Sequence, residues 1–316
     1  MPLPFTAPWL LAPMEGVTEP CFRDLVLERN PPEALGGAFT EFARVVDHTL
    51  SKRVLREHLG PRRFDAPVGL QLMGSNLAAL ESSAARAVEI GVPLLDLNFG
   101  CPAKGALRGC AGSAVLRDPA MLETIVATAV RGVDGAVPVT AKIRAGDNDA
   151  DRVEEIARSA EAGGASLLTI HCRTRAEHYT PEVDWSRIAR AVDAVSIPVC
   201  GNGAVNVHAD LERMRAETGC AFVMIGQAAL GDPWIFSGVE VSRREAARFL
   251  IEYAELLRTR YGAAPRGRAG RLKQLLRRWV AGGLVPEEER HGWLAEADHQ
   301  RLFARLAEIA EVEVHS

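Results

Sequence analysis

The sequence predicts an α/β protein, a (β/α)8 TIM barrel followed by an all-helical C-terminal domain. Three observations carry this: eight strand-length apolar runs, helical segments between most of them, and loss of the strand signal after Trp234. The runs are Trp9 to Ala12, Gly37 to Phe42, Val68 to Met73, Leu94 to Asn98, Val139 to Ile143, Leu167 to His171, Ile197 to Gly201 and Ala221 to Ile225. Each is nearly continuously apolar, as a parallel strand covered on both faces must be. Between them Asn76 to Ile90, Pro119 to Arg131, Asp151 to Ala162 and Asn206 to Glu217 carry helical spacing. Eight such units match a closed barrel better than an open doubly wound sheet. Beyond the barrel, Ala246, Phe249, Leu250, Tyr253 and Leu256 share one helical face and Leu302, Leu306 and Ile309 another. The expected division is a barrel over residues 1–238 and a helical domain over 239–316.

Composition narrows the function classes. Hydrophobic residues make up 47% of the 316 and charged residues 25%, ordinary for a folded globular chain, so disorder throughout is excluded. No apolar run approaches the roughly 20 residues that span a bilayer, and the N-terminus lacks the basic segment of a signal peptide, so no membrane association and a cytoplasmic location are expected. The six cysteines form no CxxC pair, which argues against a zinc site or a disulfide framework and predicts no metal. The net charge of -4 hides an asymmetry: residues 241–316 hold 14 Lys and Arg against 11 Asp and Glu. From Arg258 to Arg278 there are eight basic residues and no acidic one, either a solvated helix face or a surface for a polyanion.

In this fold the chemistry lies where the strands end. Polar groups and glycines collect there: Pro13-Met14 after the first run, Gln71 in the third, Asn98 and Cys101 after the fourth, Lys142, His171, Asn202-Gly203 and Gly226-Gln227 after the rest. Glycines after the seventh and eighth strands leave backbone N–H groups able to approach an anion, the usual phosphate position of such barrels. Each glycine alone is an ordinary turn former, and a lone Lys or His can be structural. Together, Lys142, His171 and the two glycines suggest a phosphorylated cofactor lying across the barrel mouth.

The segments PMEGVT, QLMG, NFGCP followed by GSAVLRDP, KIR, HCRTR, GNGAV and MIGQAALGDPW, in this order, resemble the flavin-dependent tRNA-dihydrouridine synthases along the whole chain. LAPMEGVTEPCFRDL with FTEFARVVD is similar to the bacterial C-type subgroup. The resemblance implies an FMN-binding barrel, NADPH as electron donor, tRNA as partner and a D-loop uridine, U16, as the reduced base. It implies that Cys101 donates the proton, that Asn98 orients the uracil, and that Pro13, Met14, Gln71, Lys142, His171, Asn202, Gly203, Gly226 and Gln227 hold the cofactor. Arg173 near the site and Arg271, Lys273, Arg277 and Arg278 in the helical domain are the expected RNA contacts. One departure stands out: Gly226-Gln227 replaces the family's usual Gly-Arg, so a neutral amide takes the place of a guanidinium.

These residues suit the chemistry. Saturating the C5–C6 bond of uracil needs a hydride on one carbon and a proton on the other. Cysteine, with an ordinary pKa of about 8.5, is a thiol near neutrality and has that proton to give. The GCPAKGALRGCAGS loop could close over the base. Three other readings compete: a flavin barrel reducing a free pyrimidine, resembling dihydroorotate dehydrogenase; a Schiff-base aldolase using Lys142; and a non-catalytic RNA-binding protein. The first leaves the basic helical domain idle, and the last leaves NFGCP, Lys142 and His171 without joint purpose. Nothing in the sequence demands an oligomer, so a monomer is expected.

Overall fold

The computed structural model describes residues 1–102, 111–177 and 183–311. Its strands are β1 (Trp9–Leu11), β2 (Gly37–Phe39), β3 (Ala43–Arg44), β4 (Val68–Met73), β5 (Leu95–Phe99), β6 (Val139–Arg144), β7 (Leu167–His171), β8 (Val199–Asn202) and β9 (Phe222–Ile225). All pair in parallel, and β1 pairs with both β2 and β9, closing the ladder β1-β2-β4-β5-β6-β7-β8-β9 on itself. This is the eight-stranded barrel expected from the sequence.

One expected strand is divided. The second run breaks after Phe39 because the Gln71 N–H donates to the hydroxyl of Thr40, 3.0 Å away, instead of to a main-chain carbonyl. Pairing resumes at β3, which lies against Leu72 and Met73 of β4.

The barrel is wrapped by α2 (Lys52–Leu59), α3 (Leu77–Glu89), α4 (Pro119–Val133), α5 (Val153–Ala162), α6 (Ser186–Ala194) and α7 (Ala209–Thr218). Side-chain oxygens start three of them: Ser51, Asn76 and Asp118 accept from Val54, Ala79 and Met121 N–H groups. Buried faces such as Leu80, Ala84 and Ala87, or Leu122, Ile125, Val126 and Ala129, cover the outward strand residues.

Because side chains alternate along a strand, every second residue points into the barrel. At the N-terminal level these inward residues are apolar: Leu10, Ala12, Phe39, Leu94, Leu167, Cys200 and Met224 form one buried cluster. Two or four residues further along the same columns stand Met14, Asp96 and Asn98, Thr169 and His171, Asn202, and Gly226. The core thus fills the bottom of the barrel, and its polar groups are confined to the C-terminal end.

The chain divides into two compact units, Met1–Pro20 with Pro32–Gly226, and Cys21–Pro31 with Gln227–Ser316. The second unit begins ahead of the boundary expected at 238, and it takes in most of α1 (Pro20–Arg29) from the far N-terminal part of the sequence. Aromatic packing explains why. Phe22 sits edge-on to Phe249 and Tyr253 at 6.0 and 5.9 Å, and Phe249 also packs on Trp234 and Trp279. Arg29 pairs with Glu252, and the Asn30 amide donates to the carbonyl of Pro233 at 2.9 Å. The unit's other helices are α8 (Gln227–Gly231), α9 (Arg243–Tyr261), α10 (Pro265–Leu276), α11 (Glu287–Ala295) and α12 (His299–Ala310). No helix among the described residues is long and apolar enough to cross a membrane, and no group of three or more His, Cys, Asp or Glu residues among them could hold a metal ion.

Candidate active site

At the end of β5 the backbone turns around one amide. Asn98 Oδ1 accepts the N–H groups of both Gly100 and Cys101 at 3.0 Å, an Asx-type turn. The Cys101 carbonyl is held from the other side by the Ser113 N–H and hydroxyl, each at 3.0 Å. Arg144, buried at the end of β6, donates from Nε to the Gly100 carbonyl at 2.9 Å. Cys101 is therefore fixed through its main chain on both sides, while its half-buried side chain packs with Met73 and Ala111. Asn98, expected to orient uracil, spends its carbonyl on this turn and one amide hydrogen on Gln71 Oε1, 2.8 Å away. Residues 103–110, with Cys110 and the loop expected to close over the base, lie outside the described residues.

Beneath the turn lies a buried polar layer. Gln71 Nε2 donates to Asp96 Oδ2 at 2.6 Å, and the Thr140 hydroxyl donates to Asp96 Oδ1 at 2.5 Å. Burial raises the Asp96 pKa to about 6, against the lowering influence of these hydrogen bonds and of the Lys142 charge. Gln71, fully buried, thus has both ends of its amide engaged by protein.

The cationic side of the mouth is built on β6, β7 and β8. Lys142 Nζ donates to Asn202 Oδ1 at 3.2 Å, and Asn202 Nδ2 donates to the Met224 carbonyl at 2.7 Å, which leaves the Asn202 oxygen facing the ammonium. Burial, with repulsion from Arg144, lowers the Lys142 pKa to about 8. The Arg173 N–H donates to His171 Nδ1 at 3.2 Å, so a neutral His171 carries its proton on Nε2. Burial, then the charges of Lys142, Arg144 and Arg173, hold the His171 pKa well below its ordinary value, so the ring is a neutral donor near pH 7.

Gly203 faces this imidazole. Its φ is +115°, and a Cβ there would come within 2.7 Å of Cys172 Sγ and 3.5 Å of His171 Nε2, so only glycine keeps the space open. The Trp185 indole N–H holds the Gly203 carbonyl at 3.0 Å, and Arg213 stacks over that indole.

Pro13 and Met14 follow β1 in a turn locked by Thr18, whose hydroxyl accepts the Met14 N–H at 2.7 Å, while Glu41 accepts the Val17 N–H at 2.9 Å. The Met14 sulfur lies 3.4 Å from where a Cβ on Gly226 would sit. Gln227, the next residue, opens α8.

The barrel's arginines are largely committed. Arg173 is buried. Arg175 and Arg117 both pair with Asp147, whose carboxyl, raised by burial, ends below its usual range because the two guanidinium groups outweigh that effect. Arg187 clamps Glu177 through two hydrogen bonds, pulling its pKa to about 2. In the second unit the basic run is also subdivided. Arg268 is buried against the Phe303 ring, Arg271 donates to the Tyr253 hydroxyl at 3.2 Å, and Lys273 donates to the Glu296 carbonyl that ends α11. Arg266, Arg277 and Arg278 are exposed.

Asp96, Thr140, Thr40 and Trp185 are not distinguished by the sequence reading. Asp96 had a signal, a lone carboxylate inside the apolar run LLDLNF.

The profile of the dihydrouridine synthase family matches residues 10–274. The chain belongs to this family. Among its relatives, the tRNA-dihydrouridine(16) synthase of Pseudomonas syringae pv. tomato is 36% identical over 84% of this chain and 87% of its own length. The corresponding protein of Cupriavidus necator is 39% identical over 71% of each, and tRNA-dihydrouridine synthase B of Pseudomonas aeruginosa 39% identical over 75% of this chain and 70% of its own. A 2-naphthoyl-CoA reductase structure overlays with a TM-score of 0.53 at 12% identity, covering 73% of this chain and 49% of that one, a likeness of fold alone. The family makes this chain an oxidoreductase that forms dihydrouridine.

The shifted lysine gives a test. With its folded pKa near 8 against 10.5 when unfolded, Lys142 binds fewer protons folded than unfolded in that interval, so its destabilising effect is complete below about pH 8 and fades as pH rises toward 10. Lys142→Met should therefore raise the melting temperature of the flavin-free protein at pH 7, with the gain shrinking at higher pH, while the variant as purified, without flavin removal, should carry less flavin. A variant that melts lower at pH 7 would contradict this account of Lys142.

Proposed function

We propose that the chain reduces the C5–C6 double bond of a D-loop uridine in tRNA, at position 16, with FMN as bound cofactor and NADPH as reductant. The observation that carries this reading is the placement, at one end of one barrel, of a cysteine fixed through its backbone and a cationic and donor set of Lys142, neutral His171, Asn202 and the open cradle at Gly203. The position named in the relatives, 16, supports the choice of uridine.

The residues fit a flavin mononucleotide. A half-buried ammonium whose hydrogen-bond partner is the neutral Asn202 amide suits the electron-rich edge of the ring system, and the Nε2–H of a neutral histidine beside a glycine without Cβ suits an anionic or carbonyl oxygen. Pro13, Met14, Gly226 and Gln227 line the adjoining strand ends and complete the proposed cofactor contacts, with Gln71 and Asn202 holding the layer beneath. When bound, the cofactor supplies the hydride drawn from NADPH.

The chain's own residues supply the rest. Cys101 gives its thiol proton to the carbon opposite the one that receives the hydride, and regains a proton from solvent. Asn98 and Ser113 keep the Cys101 main chain in place while this happens, and Asn98's second amide hydrogen remains for a uracil carbonyl. The exposed arginines of the second unit meet RNA phosphates, and recognition there is by backbone and shape, whereas the expected contact through Arg173 is not carried forward because that side chain is buried. A base stacked within a folded tRNA must be extruded to be reduced.

Two measurements test the assignment. Cys101→Ala should retain flavin and NADPH oxidation yet lose dihydrouridine formation by about 100-fold or more, the usual worth of a positioned general acid. Wild-type dihydrouridine formation by this variant would remove Cys101 from the role. Replacing Arg266, Arg277 and Arg278 with Gln should weaken tRNA binding and lower the slope of log affinity against log salt by roughly 0.7–0.9 for each phosphate no longer neutralised, with flavin content unchanged. Wild-type affinity and slope would show these three to be a solvated face.

A further inference from the structure

A file of four side chains leads from the barrel interior to the Cys101 backbone, and its hydrogen-bonding sense is set at the buried end. Asp96 accepts from two donors, Gln71 Nε2 and the Thr140 hydroxyl. With Nε2 committed downward, Gln71 presents Oε1 to its other neighbour and receives Asn98 Nδ2 at 2.8 Å. With Nδ2 committed in turn, Asn98 presents Oδ1 to the Gly100 and Cys101 N–H groups. Each amide could be inserted either way round, and only one order satisfies every link. Reversing Asn98 would point its NH2 at two main-chain donors and leave all three groups unpaired, at the cost that buried unpaired donors carry.

The geometry points to Asp96 as a positioning residue: by being an acceptor and nothing else, it orders the Gln71 and Asn98 amides and so fixes the backbone that carries the Cys101 thiol. Asp96 sits in mid-strand, one column step below Asn98, and is buried to 1% exposure. Its partners Gln71 and Thr140 are its ladder neighbours on β4 and β6, so barrel register alone brings the three together. Near pH 7 the group is a carboxylate, its pKa being about 6. The effect on uridine reduction rests on the reading of Cys101 as the acid; the effect on the Cys101 backbone does not.

Asp96→Asn keeps the shape but brings a donor to a position that only accepted: with its oxygen toward Gln71 and its NH2 toward the Thr140 hydroxyl, which can turn to accept, the order is kept, and with the amide reversed it is lost, so the amide order holds in only part of the population. Adding Gln71→Glu moves the obligate acceptor one link along: a carboxylate at position 71 takes a hydrogen from the amide at 96 and another from Asn98, restoring the Asn98 sense while keeping one buried charge. Both variants and the wild type, flavin-loaded, are treated with iodoacetamide, and alkylation of the Cys101 peptide is followed by mass spectrometry alongside the melting temperature and the kcat and KM for tRNA. D96N should change the Cys101 alkylation rate by about fivefold, in keeping with loss of a hydrogen bond, and lower kcat rather than raise KM. The double variant should return the alkylation rate toward the wild-type value. A D96N rate equal to wild type, whatever its melting temperature, overturns the proposal, as does a double variant no closer to wild type than D96N. An altered alkylation rate, restored in the double variant, with unchanged uridine reduction would uphold the positioning of Cys101 and overturn its assignment as the acid.

Discussion

Closure of the parallel ladder is the constraint on which the rest depends. Once β1 pairs with β9 as well as β2, the inward side chains of eight strands share one narrow space and can be neither solvated nor displaced independently. At the lower level that space is filled by Leu10, Phe39, Leu94, Leu167 and Met224. Polar groups are tolerated only higher up, and there the charged and amide groups find partners within the barrel. Asp96 takes Gln71 and Thr140, Lys142 takes Asn202, and Asn98 takes the turn that bears Cys101. The same packing that makes the fold stable thus preorders the site before any substrate arrives.

This preorder divides labour between two sides of the mouth. The β5 side holds a thiol whose backbone is bonded at both N–H and C=O. The β6 to β8 side holds an ammonium with a depressed pKa and a histidine kept neutral by burial and by the neighbouring cations. Such a donor set favours electron-rich or anionic ligand atoms over cations, as the proposed cofactor requires. The aldolase reading, which also uses Lys142, leaves the Cys101 turn without a purpose, and family membership decides against it.

Much of this was legible in the sequence because parallel strands announce themselves as apolar runs ending in polar residues, and all eight runs became barrel strands. What escaped reading depended on contacts between distant residues. The break at Thr40 arises from a hydroxyl replacing a carbonyl opposite Gln71, which no local pattern reveals. The helix bearing Phe22 joins the C-terminal unit through aromatic partners more than two hundred positions away. In the basic run, helical periodicity turns Arg268 toward Phe303 while Arg277 and Arg278 stay exposed, so charge count overstated the available surface. Asp96 was visible as an exception within LLDLNF, but its partners are supplied by barrel register.

The central claim is that this mouth saturates one uridine of folded tRNA. Site-resolved mass mapping of tRNA after incubation with the purified flavin-loaded protein and NADPH tests it most directly. The account predicts conversion of the D-loop uridine at position 16 to dihydrouridine, with the other uridines unchanged. Flavin-loaded protein that oxidises NADPH and leaves every tRNA uridine unsaturated would contradict it.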